Sequence, residues 1–172
     1  AINNIRALII IQPDKARDML TSFADIMRYQ INVDSEPMVS VEQELTFVND
    51  YVALNLLQFQ ERLHYETHIE DTTLTRSIPR MSIQLLVENA IKHGFSKTTT
   101  PGQLVVCSQL NANNQLVIEV RNPGQLTTAK SDCGIGLDNL RKRLDMAYSG
   151  DYQLTLSEEN NGVSCRMVIG TL

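Results

Sequence analysis

Apolar residues recur every three or four positions through the first third of the chain, alternate with polar ones through most of the rest, and return to the longer spacing in two places. Ile2, Ile5, Leu8 and Ile9 mark an opening helix over 1–11, and Pro13 suits the first position of the next helix, where its missing N–H would be unpaired anyway. Ala16, Met19, Leu20, Phe23, Ile26, Met27 and Ile31 then draw one apolar stripe down a helix of about five turns. A polar turn over 32–37 leads to Ser40 and Gln43 at capping-box spacing, and Val41, Leu45, Val48, Val52, Leu56 and Phe59 form another seam. Stripes of this kind in one short segment are buried most economically against a second copy of the chain; packing onto the rest of the same chain is the alternative.

From residue 63 the period changes. Tyr65, Thr67 and Ile69 alternate as a strand, and 77–94 reads as a helix entered through Pro79 and closed by Gly94 as a left-handed cap. After a polar loop over 96–102, Leu104 and Val106 face Leu116, Ile118 and Val120 across the turn formers Asn111, Asn113 and Asn114. A helix follows the glycines at 134 and 136, runs to about Tyr148 and stops at Gly150. Tyr152, Leu154 and Leu156, then Val163, Cys165, Met167 and Ile169, alternate on either side of a turn at 160–162. The order β, α, β, β, α, β, β predicts an α+β fold, a two-layer α/β sandwich whose mostly antiparallel sheet carries helices on one face. A helical segment, 1–62, precedes this unit, 63–172.

The chain has 172 residues, 42% of them hydrophobic, enough for one core or a core with a helical appendage. A formal net charge of -5 argues against a nucleic-acid surface, which needs clustered cations. Cys107, Cys133 and Cys165 are far apart and without C-x-x-C spacing, so neither a disulfide framework nor a zinc site is expected, which suits a reducing cytoplasm. No run of 18 apolar residues occurs. A chain that opens inside a helix reads as part of a longer protein, any membrane anchor or sensor lying in an absent N-terminal part.

Chemistry concentrates in three places. On the helix ending at Gly94, Ile83, Leu86, Val87, Ala90 and Ile91 share a buried face, while Asn89, Lys92 and His93 fall together on another. That presents an amide oxygen able to ligate Mg²⁺, a cation for a phosphate and a ring for a base. Asn122, Pro123 and Gly124 close a strand where a base edge can approach the backbone. Gly134, Gly136 and Leu137 open a helix whose N–H groups and positive dipole end can face phosphates.

In this order the three segments resemble the N, G1 and G2 boxes of the ATPases and kinases built on the Bergerat ATP-binding fold. The run Leu86, Val87, Glu88, Asn89, Ala90, Ile91, Lys92, His93, Gly94 is similar to that of the LytS-like sensor histidine kinases. Arg28 with Tyr29, Glu44 with Leu45, Tyr51, Glu61 with Arg62, Ile78 with Pro79 and 139–144 resemble further family landmarks, so the likeness spans almost the whole chain. It implies an ATP-dependent protein-histidine kinase, part of a two-component system, with ATP and Mg²⁺ as cofactors. Asn89 would ligate Mg²⁺, Lys92 would reach the phosphates and His93 would lie beside the adenine. Gly134, Gly136 and Leu137 would border a lid over 125–133 carrying Lys130 and Ser131, and Ser164 would supply a hydroxyl near the adenine. Glu88 is a candidate base for the accepting histidine. The implied partners are a response regulator and a second copy of the chain, joined through the helical segment.

Departures from the family pattern bear on mechanism. Asn122 stands where the superfamily has Asp; its carbonyl still accepts a hydrogen bond, weaker by about 1 kcal/mol than one to a charged group. Leu85 occupies the place of the Glu that activates water in the hydrolases, which favours a transferase. The family's accepting histidine, in a segment resembling Asn-Pro-His-Phe-Leu-Phe-Asn, is expected to precede Ala1, and His64, His68 and His93 lack its context. The chain is therefore expected to bind ATP without phosphorylating a histidine of its own. The rival expectation is a degenerate kinase serving as a dimerisation or binding module.

Overall fold

The computed structural model describes residues 8–31, 36–96, 100–125, 135–159 and 162–170. Residues 8–11 are helical, and the rest of the expected opening helix lies outside the described residues. Helix α1, Pro13–Ile31, buries Ala16, Met19 and Ile26 against Leu54 of α2, Val41–Phe59. The capping box at the start of α2 is formed: Ser40 Oγ accepts from Gln43 N at 3.1 Å and Gln43 Oε1 accepts from Ser40 N at 2.9 Å. The other side of α2 (Val41, Leu45, Val48, Val52 and Phe59) belongs to the same core as the sheet. The second seam is thus covered within the chain, while Leu20 on the first stripe stays 56% exposed.

The strands are β1 Met38–Ser40, β2 Leu63–Ile69, β3 Ser77–Pro79, β4 Gly102–Leu110, β5 Leu116–Pro123, β6 Tyr152–Glu159 and β7 Gly162–Ile169. Five form one sheet in the order β2-β4-β5-β7-β6. Among the described residues only the β2–β4 pairing is parallel, so the sheet is mostly antiparallel as the pattern requires. Helices α3, Ser82–Ala90, and α4, Ile135–Tyr148, cover one face together with α2, and Leu86, Leu140 and Leu144 meet Ile118, Val120 and Met167 there. The result is the expected two-layer sandwich with a helical segment before it.

The start of α3 differs from expectation. Residues 77–79 are not helical; β3 pairs antiparallel with β1, Val39 opposite Ile78, and Arg80 N donates to Pro37 O at 2.9 Å. Met81 then turns the chain with φ 68° and the helix starts at Ser82. Pro79 therefore ends a strand, a place that asks nothing of its missing N–H. At the far end Gly94 does not cap in the left-handed region. Ile91–Phe95 form a π turn, with Ser96 N donating to Ile91 O at 3.1 Å, and the positive-φ glycines among the described residues are Gly124 and Gly150.

Candidate functional site

Helix α3 buries Ile83, Leu86, Val87, Ala90 and Ile91, the face its periodicity assigns to the core. The opposite face carries Asn89, half-buried, and Lys92, exposed, with His93 half-buried in the π turn. Neither the Asn89 carboxamide nor the Lys92 ammonium has a hydrogen-bond or ion-pair partner among the described residues. Both stay available to an outside ligand. Turns of π geometry recur at functional sites because the extra residue re-aims side chains, and here it re-aims Lys92 and His93.

Two glycines explain how this helix end meets the sheet. A Cβ on Gly94 would lie 2.5 Å from Asn122 Nδ2 and 2.8 Å from Pro123 O, distances no real side chain tolerates. A Cβ on Gly102 would come to 2.4 Å from Pro123 Cγ. Asn122 and Pro123 are thus held between two residues that have no side chain, and Asn122 is only 7% exposed. Its Nδ2 donates to Pro123 O at 2.7 Å, which leaves its carbonyl oxygen as the acceptor to be used. Gly124 follows with φ +126°, a conformation side chains rarely adopt, and its Cβ position lies 4.0 Å from His93 O. The end of β5 and the end of α3 therefore form one junction.

Gly136, at the start of α4, faces the same helix: a Cβ there would touch Leu85 Cδ2 at 3.6 Å. Leu137 is buried in the core, so it offers a site only its backbone. Gly134, with Lys130, Ser131 and most of the expected lid, lies outside the described residues. Ser164 is not brought together with the others. It pairs with Arg121, on the sheet face away from the helices, is 3% exposed, and donates to Glu119 Oε1 at 2.7 Å. Val163, not Ser164, stands opposite Asn122 in the ladder.

Glu88 points elsewhere than Asn89. It opens into a cleft of about 360 Å³ between α1, α2 and α3, beside Phe23, Ile26, Met27, Tyr51 and Asn55. Burial pushes the Tyr51 hydroxyl up to about 12, and the nearby Glu88 carboxylate adds to the shift. His64 and His68 lie on the edge strand β2, His68 Nε2 being 2.7 Å from Glu66 Oε1, away from this junction.

Comparison with known proteins gives a concordant result. The family profile described as Histidine kinase matches residues 1–63. The sensor protein LytS of Staphylococcus saprophyticus is 32% identical over 96% of this chain and 30% of its own length. The sensor histidine kinase BtsS of Escherichia coli is 27% identical over 92% of this chain and 28% of its own length. The chain thus spans about 30% of the LytS proteins it matches. Among solved structures, the catalytic domain of histidine kinase ThkA superposes with a TM-score of 0.61 at 17% identity, over 78% of this chain and 94% of that one. ThkA in complex with the response regulator protein TrrA superposes with a TM-score of 0.57 at 12% identity, over 92% of this chain and 50% of that one.

Proposed function

The chain belongs to the LytS-like sensor histidine kinases, and on that footing we propose that the junction of α3 with β5 binds ATP with Mg²⁺, for transfer of the γ-phosphoryl group to a histidine and onward to a response regulator. The observation that supports this most directly is the side-chain-free seam at Gly94, which lets the helix end bearing Asn89, Lys92 and His93 close on Asn122 and Gly124. The donor set fits the cofactor. An unpartnered carboxamide oxygen at Asn89 suits a hard cation, and the Lys92 ammonium suits a phosphate. The Asn122 carbonyl suits an amino group on a base edge. The N–H groups of Gly136 and Leu137 at the start of α4 would face phosphates.

When bound, ATP with Mg²⁺ supplies the transferable phosphoryl group and the cation that neutralises its oxygens. The chain's own residues hold and orient it. Leu85, 9% exposed and facing Gly136, puts no water-activating group there, which favours transfer to a side chain over hydrolysis. Glu88 opens toward the helical side, where its carboxylate would take the proton of a histidine carried on a helix. The kinase would act as a homodimer joined through the helical segment, on the cytoplasmic side of a membrane-anchored protein; no helix among the described residues is itself long and apolar enough to cross a membrane.

Titration with a fluorescent ATP analogue tests the reading. Saturable binding that strengthens with Mg²⁺ is expected, and Asn89→Ala should lower the Mg²⁺-dependent affinity by at least about tenfold. Absence of saturable binding by the unaltered chain sinks the proposal and leaves a dimerisation module.

A further inference from the structure

Helix α3 begins without a cap of its own. Met81 precedes it in the left-handed region and none of its own side chains caps its first N–H groups. That task falls to α2. The fully buried Glu44 accepts from Met81 N through Oε2 at 2.9 Å and from Gln84 N through Oε1 at 3.2 Å. A buried carboxylate is costly unless every oxygen is used, and here both sit at the positive end of a helix. The other end of the same unit is held from the other end of α2. Arg62, in the 3₁₀ turn Gln60–Arg62, donates from Nη2 to Phe95 O at 2.9 Å. Its guanidinium lies 5.5 Å from the centre of the Phe59 ring, and Phe59 packs against Phe95 with centroids 6.2 Å apart. An acid at the amino end and a cation at the carbonyl end oppose the dipole of α3 and its π turn at both termini.

We infer that Glu44 and Arg62 are positioning residues for the nucleotide site, α2 acting as a splint that fixes where Asn89, Lys92 and His93 stand relative to Asn122 and Gly124. Those three side chains lie between the two clamps, and Gly94, which seats the unit on β5, is the neighbour of Phe95. A displacement of α2 is thereby passed along a short rigid rod to the junction. The inference rests on the nucleotide reading above, but its mechanical half does not.

The test uses Glu44→Gln and Arg62→Gln, with Arg62→Lys as the conservative rescue and Leu154→Ala on β6 as a control that lowers stability away from α3. Hydrogen exchange over 82–95 should speed up in both Gln variants with β5 and β7 unchanged. The analogue's Kd with Mg²⁺ should rise about tenfold as the competent arrangement becomes a minor population. Arg62→Lys should recover most of the affinity, and Leu154→Ala should lower the thermal midpoint without moving Kd. Folded Gln variants that bind as well as the unaltered chain, or a control that weakens binding equally, overturn the inference. If the Gln variants do not fold, Glu44→Asp and Arg62→Met replace them under the same criteria, with Arg62→Lys kept as the rescue. No binding by the unaltered chain overturns the nucleotide reading alone; the splint is then decided by the exchange rates over 82–95.

Discussion

Replacing Gly94 by Ala would set a methyl carbon 2.5 Å from Asn122 Nδ2, so the last turn of α3 has to back away from β5. We expect Gly94→Ala to lower unfolding stability in urea by about 1–3 kcal/mol and to weaken nucleotide binding disproportionately, since it separates the two halves of the junction. Equal affinity in the folded variant would show that the seam is not part of the site. The solvent-side place of Asn89 follows from the helical periodicity of α3, whereas Lys92 and His93 fall in the π turn, where that periodicity no longer sets their angular relation to Asn89. Gly94 was legible as special but for another reason than the expected one: a contact with residues 28 positions downstream, not a left-handed φ, forbids its side chain. Ser164 illustrates a signal that was available. Val163, Cys165, Met167 and Ile169 alternate inward, so the residue between two of them must point to the other face, away from Asn122.

At the level of elements, long periodic stretches read true and short ones did not. The nineteen-residue helices α1 and α2 and the β4–β5 and β6–β7 hairpins carry enough repeats to declare their type. Strands β1 and β3 have three residues each, too few to alternate, and exist only because each pairs with the other across the chain. The capping box shows the opposite case, a purely local device that needs no tertiary knowledge. Ser40→Ala should cost about 0.5–2 kcal/mol of unfolding free energy, measured by urea denaturation, with nucleotide affinity unchanged because the Glu44 contacts lie one turn further on. The π turn left no trace in the pattern, since one extra residue per turn shifts no apolar position far enough to be noticed.

For the whole molecule, the apolar surface left on α1 and on the helical residues before it matters most. Ile10 is 87% exposed and Ile11 73%, both ahead of α1, and Leu20 on α1 is 56% exposed, surface that the proposed homodimer would cover. Leu20→Glu is expected to shift the mass seen by light scattering from that of two chains to that of one. Alkaline stability follows from three hydroxyls, those of Tyr51, Tyr65 and Tyr148, which burial pushes up to about 12. Unfolded tyrosine titrates near about 10, so between these values the folded chain holds more protons than the unfolded one and stability falls as pH rises. The urea midpoint should therefore be level up to about pH 10 and decline above it; a flat profile to pH 12 would contradict the burial. The lone parallel pairing has a consequence for how the chain acquires its shape. Each β2–β4 pair joins residues 39 positions apart, Leu63 with Gly102 and Ile69 with Ser108, whereas the hairpins close locally, on the order of microseconds. During synthesis β2 and the end of α2 leave the ribosome before their template exists, so that edge stays hydrated until β4 emerges, and docking it closes a loop as long as the shortest one closed between β5 and β7, Pro123 with Gly162.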